Sequence, residues 1–314
     1  MATLADNNKL VLLIEKDLVH FKAMMRSFLL LILCALSIVV SQNAYAQQEK
    51  KVPPKQAVDT EAVRVPKVDF STLRLSKTNK VDKIIDGLTV LLKDGTIVRL
   101  ASVYTPDFHI WDDAVYAQKA FQYLQKALPE NTDVQFYQSK NKKWGQENRM
   151  GHKLGHLVIK QDQQWVQGAL LARGLAFVKT IPKSTDLLSE MSLIEDKARN
   201  KNLGMWAKDS PYRILTVEET SNRIGDYAII EGVVQKVAVV RNTIYLNFGS
   251  NWKTDFTIMI PSSLRRDFAK ENIQLMSLAN KSIRVRGNLR KYNGPLIELD
   301  NTANLQIIKE TNTE

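Results

Sequence analysis

The sequence predicts a mainly β protein of the α+β class, in which one small β barrel with helices packed at its side precedes a second small β barrel. Short runs of apolar and β-branched residues, separated by turn signals, predict strands from residue 81 onward. Helical periodicity interrupts these strands mainly within residues 81–210. Strands that alternate with a few helices over so short a length are typical of a small barrel.

The composition excludes several classes of protein. The chain has 314 residues, of which 44% are hydrophobic and 25% are charged, as in ordinary globular proteins. Wholesale disorder, collagen-like repeats and a polytopic membrane protein are therefore excluded. Cys34 is the only cysteine, so a disulfide framework is excluded too. The formal net charge of +11 is compatible with binding a polyanion but does not require it.

Residues 1–46 are predicted to be a signal peptide. A basic stretch precedes the apolar run Phe28–Val40, and Ala44-Tyr45-Ala46 provides small residues for cleavage. The run has 13 residues, which is short for a bilayer span of about 20. Residues 1–23 are interpreted as an over-extended start. We expect a periplasmic or secreted protein with no membrane span after cleavage; the alternative is an uncleaved anchor.

The remaining chain is predicted to have three parts. Residues 47–80 contain prolines and mixed charges with few large apolar side chains, so they are interpreted as a linker. Residues 81–210 are predicted to form a first domain and residues 211–314 a second domain.

The elements of the first domain follow from local patterns. Lys93-Asp94-Gly95 between two apolar runs predicts a hairpin. Apolar residues at three- and four-residue spacing predict a helix over 112–128, which Pro129 ends. The other predicted elements are strands at 133–137 and 154–159, a basic loop at 141–149, and helices at 166–173 and 187–200.

The second domain is predicted to be an oligonucleotide-binding-type (OB-like) β barrel. Gly232 is expected to make a bulge or bend in a long β run. Alternation places Ile283 and Val285 inward and Arg284 and Arg286 outward. The predicted elements are strands within 228–240, 243–248, 256–260, 282–289 and 296–299, and a short helix within 262–270.

Several motifs in the first domain resemble a known family. They are Ile85-Asp86-Gly87-Leu88-Thr89, Asp94-Gly95, Val98-Arg99-Leu100, Tyr104-Thr105-Pro106-Asp107, Arg173-Gly174-Leu175-Ala176 and Gly204-Met205-Trp206. In order and spacing they resemble the staphylococcal-type thermonuclease (SNase-like) family over residues 81–206. Residues 225–308 resemble an accessory β domain that follows such modules in some exported bacterial proteins.

The resemblance implies a catalytic set that this chain keeps only in part. In the family, two aspartates and a threonine carbonyl hold Ca²⁺, a glutamate activates water, and two arginines stabilise the transition state. The metal aspartates fall on Leu88 and Tyr104, the threonine on Thr105, the glutamate on Asp107, and the arginines on Arg99 and His152. Arg99, Asp107 and His152 are therefore vestigial catalytic candidates. No metal and no cofactor is expected, the alternative being Ca²⁺ if the site is active.

Two other pairs of residues are candidates for a metal site. Asp86 and Asp107 near Arg99 are compatible with a metal site, but an ion-pair network is the more usual arrangement. His152 and His156 have the i, i+4 spacing of a helical zinc site. The neighbouring glycines argue against a helix there, and on a strand the two imidazoles would lie about 13 Å apart.

Basic and aromatic residues then remain as candidates for nucleic-acid binding. Barrel surfaces with such residues grip single strands through backbone charge and base stacking. The alternative is a solvated, charged surface. The candidate residues are Lys142, Lys143, Trp144, Arg149, Arg284, Arg286 and Arg290.

The predicted function is that of an exported nuclease-like protein with a decayed active site, which now binds a partner without hydrolysis. The expected partner is single-stranded nucleic acid or another anionic polymer, and a protein partner stays open. One alternative is an active metal-dependent endonuclease. The second is a structural envelope protein.

Overall fold

A computed structural model describes residues 65–105, 115–142 and 145–308. These residues lie in one compact unit that begins at Ala62. The predicted signal peptide, residues 1–46, lies outside the described residues. None of the helices among the described residues has the length and apolar character that crossing a membrane requires.

The described chain contains short strands and few helices, as the predicted mainly β α+β class requires. The strands are β1 Leu73–Asp86, β2 Thr89–Leu92, β3 Ile97–Leu100, β4 Val103–Tyr104, β5 Asp133–Ser139, β6 Lys153–Ile159, β7 Phe177–Val178, β8 Tyr227–Val233, β9 Lys236–Val240, β10 Thr243–Asn247, β11 Thr257–Ile260, β12 Ser282–Asn288, β13 Arg290–Tyr292, β14 Gly294–Glu298 and β15 Leu305–Ile307. The α-helices are α1 Val115–Ala127, α2 Val166–Ala172, α3 Leu188–Asn200 and α4 Arg265–Lys270.

A closed five-stranded barrel forms the first domain, in the strand order β1-β2-β3-β6-β5. Among the described strands of this barrel, β3 and β6 are the pair that runs in parallel, and the other pairs are antiparallel. The long strand β1 pairs with both β2 and β5, and register shifts near Leu75 and Val81 let it curve around the barrel. The predicted hairpin is confirmed, because Asp94-Gly95 joins the antiparallel strands β2 and β3.

The start of β1 corrects the predicted linker. Strand structure begins at Leu73, so the last eight residues assigned to the linker belong to the barrel. Backbone pairing from Leu73 opposite Ser139 to Lys80 opposite Asp133 holds this segment. Most of its side chains are exposed or half-buried. Backbone hydrogen bonds hold this strand, and it has no buried face. Its sequence therefore shows no hydrophobic alternation that would predict a strand.

Helices pack against the barrel through buried faces. The predicted helical periodicity is confirmed in α1, which buries Ala117, Ala120 and Leu124. Every residue of α2 is buried. The Gln167 side-chain amide donates to the Gly155 carbonyl at 2.8 Å, and its oxygen accepts from the Leu157 backbone N–H. These bonds fix α2 to β6, and the glutamine satisfies buried backbone groups of that strand.

The C-terminal part of this unit, residues 211–308 and called the second domain below, consists of two sheets around one apolar core. One sheet has the order β13-β14-β11-β10-β9, and the other has the order β15-β12-β8. The hydrogen bonds within these two sheets do not close them into a barrel, whereas an OB-like barrel was predicted for this domain. Gly232 makes no bulge: it pairs in register with Ile283, and a Cβ there would lie 2.4 Å from the Val217 side chain. Close packing, rather than a bend, therefore requires this glycine.

A small apolar cluster connects the two domains. Phe177, Met205 and Trp206 of the first domain pack with Ile229 of the second. The partly buried side chains of Tyr104, from the first domain, and Tyr227, from the second, also pack against this cluster. Each domain also has a larger core of its own. The two domains are therefore in apolar contact as well as covalently linked.

Arg286 overturns one sequence prediction, because it does not face solvent. Its guanidinium donates to both Glu195 carboxylate oxygens, at 2.6 and 3.1 Å, and to the Val178 carbonyl at 2.9 Å. The Arg286 side chain is 9% exposed and that of Glu195 is fully buried. Alternation placed Arg286 correctly on the outer face of β12. That face, however, is covered by the first domain.

We expect Arg286→Ala to destabilise the protein by about 3–5 kcal/mol, because it leaves the Glu195 carboxylate buried without a partner. The matched control is Arg290→Ala, which breaks the exposed pair with Glu298 and should cost about 1 kcal/mol or less. Urea unfolding of both variants measures the difference. Equal losses of stability in the two variants would contradict the structural role of the buried pair.

Candidate active site and nucleic-acid interface

The turn after β1 holds an aspartate and an arginine together. The Asp86 carboxylate accepts from the Leu88 backbone N–H at 2.7 Å and from the Thr89 hydroxyl at 2.8 Å. The Arg99 guanidinium donates to both Asp86 oxygens, at 3.1 and 3.2 Å, and to Thr89 at 2.9 Å. Asp86 therefore closes the turn and pairs with Arg99, in agreement with the ion-pair interpretation. Asp107 lies outside the described residues.

Leu88 lies inside the barrel. Its side chain is 1% exposed and belongs to the main apolar core of the first domain. Its carbonyl accepts from the Leu100 backbone N–H, which joins the turn to the end of β3. The neighbouring Gly87 lies close under α1, where a Cβ would be 2.9 Å from the Ala117 carbonyl oxygen. The position assigned by resemblance to the first metal aspartate is thus an apolar core position.

Tyr104 lies at the contact between the domains. Its ring centroid is 5.4 Å from that of Tyr227, and the Lys179 ammonium lies 4.6 and 5.2 Å from the two rings. Burial raises the pKa of Tyr227, whose hydroxyl donates to the Val178 carbonyl at 3.1 Å. Thr105 follows as a buried residue. The Lys179 ammonium and the Tyr227 ring therefore lie beside the position assigned to the second metal aspartate, which is itself a phenol.

His152 and His156 lie in different environments. The backbone N–H of His152 donates to the Asn148 side chain in a polar turn just before β6. His156 is buried in β6, where the Trp165 indole donates to its Nδ1 at 3.3 Å. Among the described residues, no group of three or more His, Cys, Asp or Glu side chains is arranged to hold a metal. His156 therefore acts as a packed core residue with a satisfied acceptor.

The basic loop of the first domain is described only in part. Lys142 and Arg149 are exposed. Lys153 pairs with Glu147 across the turn that leads into β6. Lys143 and Trp144 lie outside the described residues. The exposed cations are available to an anionic ligand, although their binding role stays a prediction.

The three candidate arginines of the second domain all pair with acidic side chains. Arg284 pairs with Glu231 on β8 and is 15% exposed, while Arg290 pairs with Glu298 at 2.6 Å on the surface. Arg286 belongs to the buried contact with the first domain and is not available to a ligand. The prediction that Arg286 faces outward as a ligand-binding residue is therefore wrong, because its side chain is buried.

A groove that the sequence patterns did not predict lies on the outer face of the sheet β13-β14-β11-β10-β9 in the second domain. It has a volume of about 490 Å³. Tyr245, Trp252 and Tyr292 line it together with Lys236. The available signal was Trp252-Lys253 within the polar segment between β10 and β11, because an aromatic residue in an exposed loop often marks a binding surface.

Comparison with known proteins supports the resemblance for the first domain. The family model described as Staphylococcal nuclease homologue matches residues 97–208. The match includes Arg99, Tyr104 and His152, whereas Leu88 precedes it. The family model does not extend to residues 211–308. No curated protein matches the chain at a significant level.

We expect His156 to make the free energy of unfolding depend on pH. Burial lowers its pKa from about 6.5 to about 4, against an opposing effect of Asp186. Between pH 6.5 and 4 the unfolded chain therefore binds a proton that the folded chain does not, so acid favours unfolding. Relative to His156→Asn, the wild type should lose roughly 3 kcal/mol across this window. Urea unfolding from pH 4 to 7 measures this difference, and parallel profiles would contradict it.

Proposed function

We propose that the protein is a nuclease-like binding module without hydrolytic activity, starting from the match of residues 97–208 to the family model described as Staphylococcal nuclease homologue. Its proposed ligand is single-stranded nucleic acid or another anionic polymer. The observation that carries the proposal is the environment of Tyr104. A residue assigned by resemblance to metal binding packs against Tyr227 and lies beside the Lys179 ammonium.

The chemistry of the described residues does not suit a calcium site. Ca²⁺ takes about six to eight oxygen ligands, with carboxylates prominent among them. At the two assigned positions this chain has the buried Leu88 and the Tyr104 phenol. The nearby Asp86 carboxylate already accepts from Arg99, Thr89 and the backbone. A divalent ion there would have to displace the arginine and lie beside apolar side chains.

The residues retained from the catalytic set do not compensate for these losses. In nucleases a bound metal polarises the phosphate and supplies several kcal/mol of transition-state stabilisation. Removal of a single transition-state donor typically costs about 10²–10³ in rate. Here one arginine position carries His152, and Arg99 pairs with Asp86. Losses within one catalytic unit do not simply add, but all of them favour an inactive site.

Binding without cleavage is compatible with the charge of the chain. The net charge of +11 favours association with anionic polymers. Lys142 and Arg149 offer exposed cations beside the barrel. Such contacts neutralise phosphates and release counterions, so the affinity should depend steeply on salt.

We expect the purified protein to bind a labelled single-stranded oligonucleotide without cutting it in Ca²⁺, Mg²⁺, Mn²⁺ or Zn²⁺. Gel analysis follows cleavage, and fluorescence anisotropy follows binding between 50 and 300 mM salt. The logarithm of affinity should fall by about 0.7 per neutralised phosphate for each unit of log salt. Metal-dependent cleavage that Arg99→Ala abolishes would establish the active-nuclease alternative. Failure to bind any polyanion would favour a structural protein.

The positive control restores the family residues together, as Leu88→Asp, Tyr104→Asp, Asp107→Glu and His152→Arg. Burying an unpaired carboxylate at position 88 destabilises the barrel, so calcium should raise the melting temperature of this variant and leave that of the wild type unchanged. Circular dichroism checks that the variant folds. Cleavage by the folded variant, with none by the wild type, directly supports loss of the catalytic set. Calcium stabilisation of the wild type would argue against it.

We also propose that the protein works in the periplasm or outside the cell, on the basis of the basic stretch, the apolar run and Ala44-Tyr45-Ala46. We expect the processed chain to begin at Gln47, because signal peptidase requires a small residue before the cut. Mass spectrometry of the exported protein measures its terminus, and Ala46→Phe should block processing. An unprocessed chain that stays with the membrane would instead establish the uncleaved anchor.

A further inference from the structure

We propose that the groove on the five-stranded sheet of the second domain binds one or two nucleotides of a single strand by stacking the bases on aromatic side chains. The groove is formed by β9, β10, β11, the β13–β14 turn and the 249–255 loop, and is called the sheet groove below. Its volume of about 490 Å³ lies within the roughly 300–1,000 Å³ that is usual for ligand pockets. The inference rests on the proposed function, because it names a ligand class and a site for that binding.

Strand register places the polar and aromatic residues of the groove on one face. Tyr245 lies opposite Ala238, and Asn247 lies opposite Lys236 across the β9–β10 pair. Thr257 continues the row on β11, opposite Asn247. The intervening residues of β10 and β11, such as Ile244 and Ile258, are buried in the core. The sheet therefore has an apolar inner face and an outer face that is available for a ligand.

Two exposed aromatic side chains lie on the parts of the groove beyond the strands. Trp252 is 58% exposed in the loop, and Tyr292 is 59% exposed at the end of β13. In a soluble protein, exposed rings in one concave site indicate a binding surface more strongly than scattered apolar residues do. Together with Tyr245 they offer flat surfaces on which unpaired bases can stack.

Hydrogen bonds and close packing hold the loop and the turn that carry these two rings. Within the loop, the Asp255 carboxylate accepts from the Asn251 N–H at 2.7 Å and from the Thr254 hydroxyl at 3.0 Å. The turn that carries Tyr292 lies against the same loop, because a Cβ on Gly294 would be 2.6 Å from the Thr254 carbonyl oxygen. Because this backbone is already ordered, the site loses less backbone entropy when a ligand binds.

The lysines at the groove favour an anionic ligand. Lys236 lines the groove, and the Lys253 ammonium lies 5.7 Å from the Trp252 ring centroid. No carboxylate is among the described residues that line the groove. Lysines beside stacking rings suit a sugar–phosphate backbone that carries unpaired bases. A duplex keeps its bases stacked internally, so it cannot use the rings in this way.

The test compares ring-removing variants in the full protein. Fluorescence anisotropy measures binding of a labelled ten-nucleotide oligo(dT) at 100 mM salt. Trp252→Ala and Tyr292→Ala should each weaken binding about tenfold, whereas Trp252→Phe should weaken it by less than about threefold. The matched control is Met276→Ala, which removes an apolar side chain that is 57% exposed outside the groove. Thermal unfolding checks that each variant keeps the wild-type stability.

Competition separates stacking from charge. Unlabelled oligo(dT) should displace the probe at a concentration at least tenfold lower than duplex DNA or inorganic polyphosphate of equal phosphate content. Lys236→Ala should weaken binding of oligo(dT), whereas Lys126→Ala, an exposed change on α1, should not. Equal competition by polyphosphate would identify a purely electrostatic surface and overturn the stacking proposal.

The outcomes distinguish the groove from the proposed function. If the wild type binds single strands but both alanine variants bind as tightly, the sheet groove proposal is wrong and the proposed function stands. Variants at Lys142 and Arg149 then locate the site in the first domain. If the wild type binds no polyanion, both proposals are wrong. Loss of binding in the two alanine variants, with retention in Trp252→Phe, supports both.

Discussion

The buried ion pair between Arg286 and Glu195 determines how the two domains meet. Val178 is central to it, because its carbonyl accepts from Arg286 and from the Tyr227 hydroxyl while its N–H donates to Glu195. Buried charges are costly unless they are fully paired, so any other placement of the domains would leave at least one of these groups unsatisfied. The apolar cluster around Trp206 adds burial but has little directional preference. We infer that the polar network supplies the specificity of the contact.

This contact bears directly on the proposed loss of catalysis. Val178 lies on β7, which pairs with the strand β4 that carries Tyr104. The bonds that hold the second domain to β7 therefore also hold Tyr227 against the Tyr104 ring. An aspartate at position 104 would remove the ring that packs against Tyr227 and lies beside the Lys179 ammonium. In our proposal, the domain contact and a metal site compete for the same position, and the chain carries the residue that suits the contact.

The sequence predicted those features that depend on a residue and its near neighbours. The β2–β3 hairpin, α1 and the β6–α2 succession were predictable because turn residues and apolar spacing act locally. The first half of β1 was not, because pairing with β5 rather than side-chain burial holds it. Arg286 was assigned to the correct face of β12, yet alternation cannot tell whether solvent or another domain covers that face. The sheet groove was not predicted because sheet pairing, rather than closeness in sequence, brings Tyr292 of β13 to the groove that Tyr245 and Trp252 line.

The cations of the second domain divide by side-chain type. Its three candidate arginines pair with glutamates, where the planar guanidinium makes paired, directional hydrogen bonds. The cations at the sheet groove are lysines, whose flexible and strongly hydrated ammonium groups suit reversible contacts with phosphate. Net charge and arginine positions therefore give little information about where this protein would hold an anionic strand. The more useful guide is the coincidence of a lining lysine with exposed aromatic rings, which in the described second domain occurs at the sheet groove.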